Sequence, residues 1–331
     1  MNYSSTSNDS NRLMFGTPGI VISGTLMLAM AILSFCFTEN TPFFENFGIC
    51  LPSPNLWNIN PTAGFIANIF VISLCGLAMI WLNKNFNIVA GHSILFSSAF
   101  FLITGSNPWL TNGLDSASIF ALTMIVAIHL LFKTYGTRNA TSELFLLFST
   151  LAFGSMIQYA FALMIPIFLI GAMYMNVFRL REIIAAALGI VAPYWILIGF
   201  GVVSINDIVF PSLSNIFANT APSFSVLLVL ISVGFTFLTA LLLAFFNAQK
   251  VFASSAKIRA YNSFINLLGI TLAWYMVFDH TNLITYAMAL NLIAGLQIAH
   301  FFGRNRINYG YAYYMTGIAI YISLFILICN A

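Results

Sequence analysis

Long apolar runs alternate with short polar connections along the whole chain. The runs fall at 18–38, 62–82, 87–104, 116–132, 144–157, 159–175, 183–203, 223–246, 260–278, 283–302 and 311–329. Most approach the roughly 20 residues that carry an α-helix across a hydrocarbon core about 30 Å thick. Backbone N–H and C=O groups in lipid need partners within the structure itself, which leaves helices or closed barrels. The alternation of barrel strands is absent. The pattern therefore predicts an all-α, polytopic transmembrane helical bundle with 10–11 spans.

The polar connections carry a second pattern. Arg12 precedes the first run, and Lys84 follows the second. Lys133 and Arg138 follow the fourth, Arg179 and Arg181 the sixth, Lys250, Lys257 and Arg259 the eighth, and Arg304 and Arg306 the tenth. The intervening connections hold Glu39, Glu45, Asp115, Asp207 and Asp279 and no Lys or Arg. If the chain crosses at every run, all basic residues lie on one side. Basic residues in short loops mark the cytoplasm, so the N-terminus is expected inside and the C-terminus outside. "FRLRE" at 178–182 is then a cytoplasmic loop.

The stretch Leu144–Met175 is decided by the same parity. It has no charge, and as one helix it would be about 48 Å long at 1.5 Å per residue. A single tilted span would place every later Lys and Arg outside. The chain must turn back near "GSMIQY", Gly154–Tyr159, which makes 144–175 a short apolar hairpin, either a shallow one or a thin spanning pair. Gln158 then lies at the turn, buried among helices or near the outer face, with the outside as the expected side of access. Short, interrupted segments border binding sites in transporters, and they also fill gaps in bundles.

Composition agrees with the membrane reading. Hydrophobic residues make up 60% of the chain and charged residues only 6%, with a mean hydropathy of +0.96. Soluble domains carry about 25% charged residues. Residues 1–17 read as a polar cytoplasmic N-terminus and 18–331 as a single integral membrane domain. The first run is too long for a signal-peptide core and has no A-x-A exit, so it reads as an uncleaved span. The net charge of +3 is spread over short loops, which excludes nucleic acid as a partner.

Candidate chemistry is sparse. No Asp, Glu, Lys or Arg lies inside a run, against the usual signature of ion coupling and proton relays. His92, His129 and His300 each fall about one turn inside the cytoplasmic boundary and are candidates for a ligand such as a lipid phosphate. Interfacial histidines bonded to water or a carbonyl have the same pattern. His280 is outside, in "FDHTN", so four histidines do not converge, and neither a metal site nor a cofactor is expected. Gln158 is a further ligand candidate at the hairpin turn. Glu39 and Asp279 are the candidate catalytic carboxylates: lipid-linked glycosyltransferases place an acid just after their first span, where Glu39 stands, and Asp279 lies beside His280 in a tight outer turn. Asn262, Asn266, Asn291 and Gln297 are amides of the kind that hydrogen-bond helices together. Cys36 and Cys50 flank the first outer loop and are placed to pair in an oxidising compartment. Neither a phosphate-binding loop nor a serine-hydrolase or zinc-protease motif is present.

One stretch carries a resemblance. "NKNFNIVAGHSILFSSAFFLITGSNPWLTNGLDSASIFALTMIVAIHLLF", the hairpin, and "NVFRLREIIAAALGIVAPYWIL" resemble a family of polytopic inner-membrane proteins from Bacteroidota, defined only as a domain of unknown function. The shared layout is an Asn-bearing cytoplasmic turn, paired spans, the short hairpin, an Arg-bearing loop, and Gly189-x-x-x-Pro193. It is best over residues 84–200 and implies a bacterial inner membrane. Some relatives carry a carotene-oxygenase label, which the split histidines do not support.

Two functions fit this reading. The first is a non-enzymatic envelope protein, a partner subunit or a facilitator for an apolar or lipid-like substrate, with membrane lipid and another membrane protein as partners. The alternative is a lipid-linked glycosyltransferase-like enzyme working through outer-face carboxylates.

Overall fold

Each apolar run of the sequence forms a helix. The structure, a computed structural model, describes residues 16–38, 48–89, 93–204, 206, 208–209, 224–304 and 310–330. In chain order the helices are α1 (Thr17–Phe37), α2 (Pro61–Phe86), α3 (Ser93–Gly105), the single turn α4 (Pro108–Thr111) and α5 (Ser116–Lys133). There follow α6 (Thr141–Ile157), α7 (Ala160–Tyr174), α8 (Leu180–Gly199), α9 (Phe224–Phe252), α10 (Ala256–Phe278), α11 (Leu283–Arg304) and α12 (Gly310–Cys329). No strand occurs among the described residues. The chain is an all-α polytopic bundle. Among the described residues, six helices are long and apolar enough to cross a membrane: α1, α2, α5, α8, α9 and α11. Helices α3, α6, α7 and α12 are shorter apolar segments.

Local chemistry sets the helix ends. Asn60 caps α2 by accepting from the Thr62 N–H at 3.2 Å, and Pro61 takes the first helical position, where no N–H is needed. Asp115 caps α5 through the Ser116 N–H at 2.6 Å. The apolar run at 87–104 is helical only from Ser93. Asn87 ends α2 in the left-handed conformation (φ 49°). The Asn83 amide then clamps Val89, accepting its N–H at 2.7 Å and donating to its carbonyl at 3.2 Å. This holds 87–89 out of the next helix although Ile88 and Val89 are buried.

Helix α11 is the axis of the bundle. Within its membrane-length segment 94% of residues are buried, against 28% in each of α1, α8 and α9. It packs against α3, α5, α9 and α10. Among the predicted amides, Gln297 of α11 donates to Asn266 Oδ1 at 2.7 Å on α10, and Asn247 of α9 donates to Gln297 Oε1 at 3.1 Å. Asn291 reaches Thr104 Oγ1 at 3.5 Å. These side chains tie helices together, as such amides do where the alternative is an unpaired group in hydrocarbon.

The hairpin at 144–175 forms. Helix α6 ends at Ile157, Gln158 is extended, and α7 starts at Ala160. Its two feet meet again, since Arg179 Nη1 lies 3.4 Å from the Arg138 carbonyl. Beyond it α8 packs almost wholly on α6. Gly189 permits that contact, because a Cβ there would sit 2.5 Å from the Phe145 carbonyl oxygen.

The bundle has two chemically distinct ends. At one, Lys133 pairs with Glu143 at 3.2 Å, Tyr261 Oη donates to the Phe132 carbonyl at 2.9 Å, and Lys257 lies over the Tyr261 ring. Phe86, two residues beyond Lys84, packs edge-on against Phe132 and Tyr261. At the other end, Ser116 meets Thr285 at 3.3 Å, and the hairpin tip meets the Asp279 turn. The basic residues described at loops 84, 133–138, 179–181 and 257–259 thus share one end, opposite Asp115 and Asp279.

Cys36 and Cys50 do not pair. All four cysteines are free thiols. Cys36 is exposed on α1, whereas the chain at 49–51 is bound elsewhere. The N–H groups of Ile49, Cys50 and Leu51 donate to the carbonyls of Ser155 and Met156 at 2.8–3.3 Å. That clamp satisfies carbonyls that α6 leaves open at its C-terminus and holds Cys50 against the hairpin tip.

Candidate functional site

The hairpin tip and the α10–α11 corner build one buried polar network. Asp279 follows α10, and the turn His280–Asn282 leads into α11. The carboxylate of Asp279 is 1% exposed and accepts four hydrogen bonds. Tyr159 and Thr281 hydroxyls donate to Oδ1, each at 2.7 Å. Asn282 Nδ2 and the Tyr286 hydroxyl donate to Oδ2 at 2.7 and 2.8 Å. Two of the four donors are local, as expected of an Asp in a tight turn. Tyr159 comes from the hairpin tip and Tyr286 from the first turns of α11.

Gln158 joins the same network from the neighbouring position. Its Nε2 donates to Asn282 Oδ1 and to Thr285 Oγ1 at 3.1 Å. The side chain is fully buried, and Oε1 has no partner among the described residues. The turn is where the sequence puts it, but Gln158 faces the interior and not the outer surface. The reason is the pairing of 158–159 with 279–285, which seals the tip against the α10–α11 corner. Chemically the arrangement is a carboxylate held by four neutral donors. Both of its oxygens are already occupied.

Of the other predicted residues, His129 and His300 lie apart from this network. Glu39 and His92 are outside the described residues. His129 of α5 sits at the basic end, its ring stacked on Trp81 with centroids 4.0 Å apart and edge-on to Phe86 at 5.1 Å. Its Nδ1 has no partner among the described residues. His300, 2% exposed, belongs to the basic-end half of α11. Among the described residues no three His, Cys, Asp or Glu side chains are grouped closely enough to hold a metal ion.

Sequence reasoning did not find an apolar cleft on another side of the bundle. A half-open cleft of about 390 Å³ lies between α3, α9, α11 and α12. Its walls include Ile103, Leu242, Phe246, Phe301, Gly317 and Tyr321. Tyr314 and Tyr321 also line it, but their hydroxyls are engaged by Ser98 at 2.7 Å and Thr236 at 3.2 Å. The cleft therefore offers rings and aliphatic surface and almost no polar group. It exists because α12 touches α3 and α9 only lightly. The available signal was the mixture of small and aromatic residues in "YMTGIAIY", residues 314–321, which does not fill the space beside α9.

No family model, no curated protein and no solved structure matches this chain.

Proposed function

We propose that the protein is a non-enzymatic, multi-pass protein of a bacterial inner membrane that holds an apolar, lipid-like chain in the cleft between α3, α9, α11 and α12. The carrying observation is the cleft itself. Its volume of about 390 Å³ lies in the range of small-ligand pockets, roughly 300–1,000 Å³, and its tyrosine hydroxyls are turned to protein partners. A ligand without polar groups suits such walls. The proposal includes the orientation, with the basic end in the cytoplasm, the N-terminus inside and the C-terminus periplasmic, supported by the segregation of Lys and Arg. The Bacteroidota family reading belongs to it as well, resting on the layout of residues 84–200.

The glycosyl-transfer reading rests on Glu39, which lies outside the described residues, and on Asp279. The two oxygens of Asp279 accept four hydrogen bonds, so we favour the ligand-holding role.

Native mass spectrometry of the detergent-purified chain tests the proposal. Wild type should retain a lipid-like molecule, and Gly317→Phe, which fills the cleft, should lose it without a change in melting temperature. Equal retention in both proteins, or none in wild type, would contradict it.

A further inference from the structure

A second cavity lies on the opposite side of α9, and it differs from the first in having a polar end. This slot of about 180 Å³ lies between α9, α10 and α11. Ala240, Ala244 and Ala248 form its floor along α9, with Gly269 facing them from α10. Phe237 and Leu290 close its apolar walls. The polar groups, Asn266 and Gln297, sit together at the end nearer the basic face of the bundle, because α10 begins and α11 finishes there.

The hydrogen bonds behind the slot run in one direction. Asn247 Nδ2 donates to the backbone carbonyl of Gln297 at 3.1 Å, and a carbonyl can only accept, so the orientation of the Asn247 amide is fixed. The same Nδ2 donates to Gln297 Oε1 at 3.1 Å, which turns Gln297 Nε2 outward. That Nε2 donates to Asn266 Oδ1 at 2.7 Å and reaches Asn262 Oδ1 at 3.5 Å. Flipping Asn266 would set two donors against each other. The chain of donations therefore ends on Asn266 Nδ2, on a half-buried side chain lining the slot, with no acceptor for it among the described residues. An amide N–H in such surroundings favours an acceptor.

We propose that the slot binds an apolar molecule bearing a carbonyl, which accepts from Asn266 Nδ2 while its hydrocarbon body lies along Ala244 and Phe237. The carbonyl points toward the basic end. Among the described residues no Asp, Glu, Lys or Arg lines the slot, and the recognised group in this proposal is neutral. Two sources have this chemistry: the acyl ester of a phospholipid and the ring carbonyl of a quinone. This site is independent of the cleft beside α12.

The test uses the full chain reconstituted in vesicles of diether phosphatidylcholine, a host with no ester carbonyl. One arm adds a decyl-substituted benzoquinone and follows saturable quenching of tryptophan fluorescence. The other adds a diester phosphatidylcholine with a photoactivatable acyl chain and maps cross-links to α9 and α10. In the arm that contains the true source, wild type should saturate, and Asn266→Leu should raise half-saturation about tenfold, the effect of one lost hydrogen bond in apolar surroundings. Ala244→Phe, which blocks the slot without touching the amides, should abolish binding even if Asn266→Leu proves unstable. Melting temperatures of the reconstituted variants control for folding. Saturation in the quinone arm alone assigns a quinone, and in the ester arm alone a lipid ester. Failure of both arms to saturate, or unchanged binding in Ala244→Phe, would overturn the proposal. Loss of lipid in Gly317→Phe would bear only on the other cavity.

Discussion

The hydroxyl of Tyr159 donates to Asp279 Oδ1 at 2.7 Å across 120 positions of sequence. This bond joins the hairpin tip to the start of the α10–α11 turn, and it makes the tip part of the buried bundle. Removing its donor leaves Asp279 with one fewer partner in a site that water does not reach. Tyr159→Phe should therefore destabilise the folded protein by about 1–3 kcal/mol, the cost of an unmade hydrogen bond to a buried polar group. Asp279→Asn replaces one carboxylate oxygen by an NH2 donor that faces two of the four donors, and should cost more. The double variant should cost less than the sum of the two, since both changes break one network. Thermal unfolding in detergent measures all three, and strict additivity would mean the network is not a unit.

The α6–α8 contact depends on a missing side chain. Gly189→Ala would place a methyl against the Phe145 carbonyl, a backbone atom that cannot swing aside. The helices must separate, at a cost of about 1–3 kcal/mol for overpacking. Gly234 of α9 has nothing within 4 Å of its Cβ position. Gly234→Ala should be neutral or gain up to about 1 kcal/mol through helix propensity. Equal melting temperatures for the two variants would show that α6 and α8 are not in backbone contact.

The helices were legible because hydropathy and loop charge are local signals. Even the hairpin followed from them, as the parity of Arg138 and Arg179 left no other path. What the chain did not reveal was which connections meet. Asp279 read as an acid in a turn, and only the fold brings Tyr159 and Tyr286 to it. Gln158 was placed at the turn, but its burial depends on Asn282 and Thr285, over 120 residues away. The boundary of α3 was missed for a related reason. Asn83 holds Val89 through its side chain, and apolar patterning cannot separate a buried irregular segment from a helix. The cleft beside α12 was illegible because a cavity is an absence of packing between elements distant in sequence.

The thiols give a third prediction. Cys36 and Cys50 are free, so both should be alkylated without prior reduction. Burial pushes the Cys50 thiol above its ordinary pKa, which leaves less thiolate at a given pH. Cys50 should react more slowly than an unperturbed thiol at pH 8, and its rate should keep rising at higher pH after an unperturbed thiol has levelled off. Mass spectrometry of timed alkylation reads this directly. A requirement for reductant would show that the two are bridged.

The membrane topology depends on the chain returning to the basic end after α7. Single cysteines at Arg138, Arg179 and Asp115, in a variant lacking the four native cysteines, test that return in right-side-out and inverted vesicles with a membrane-impermeant maleimide. The account predicts that positions 138 and 179 label from the cytoplasmic face alone and position 115 from the opposite face. Labelling of 138 and 179 from opposite faces would contradict it.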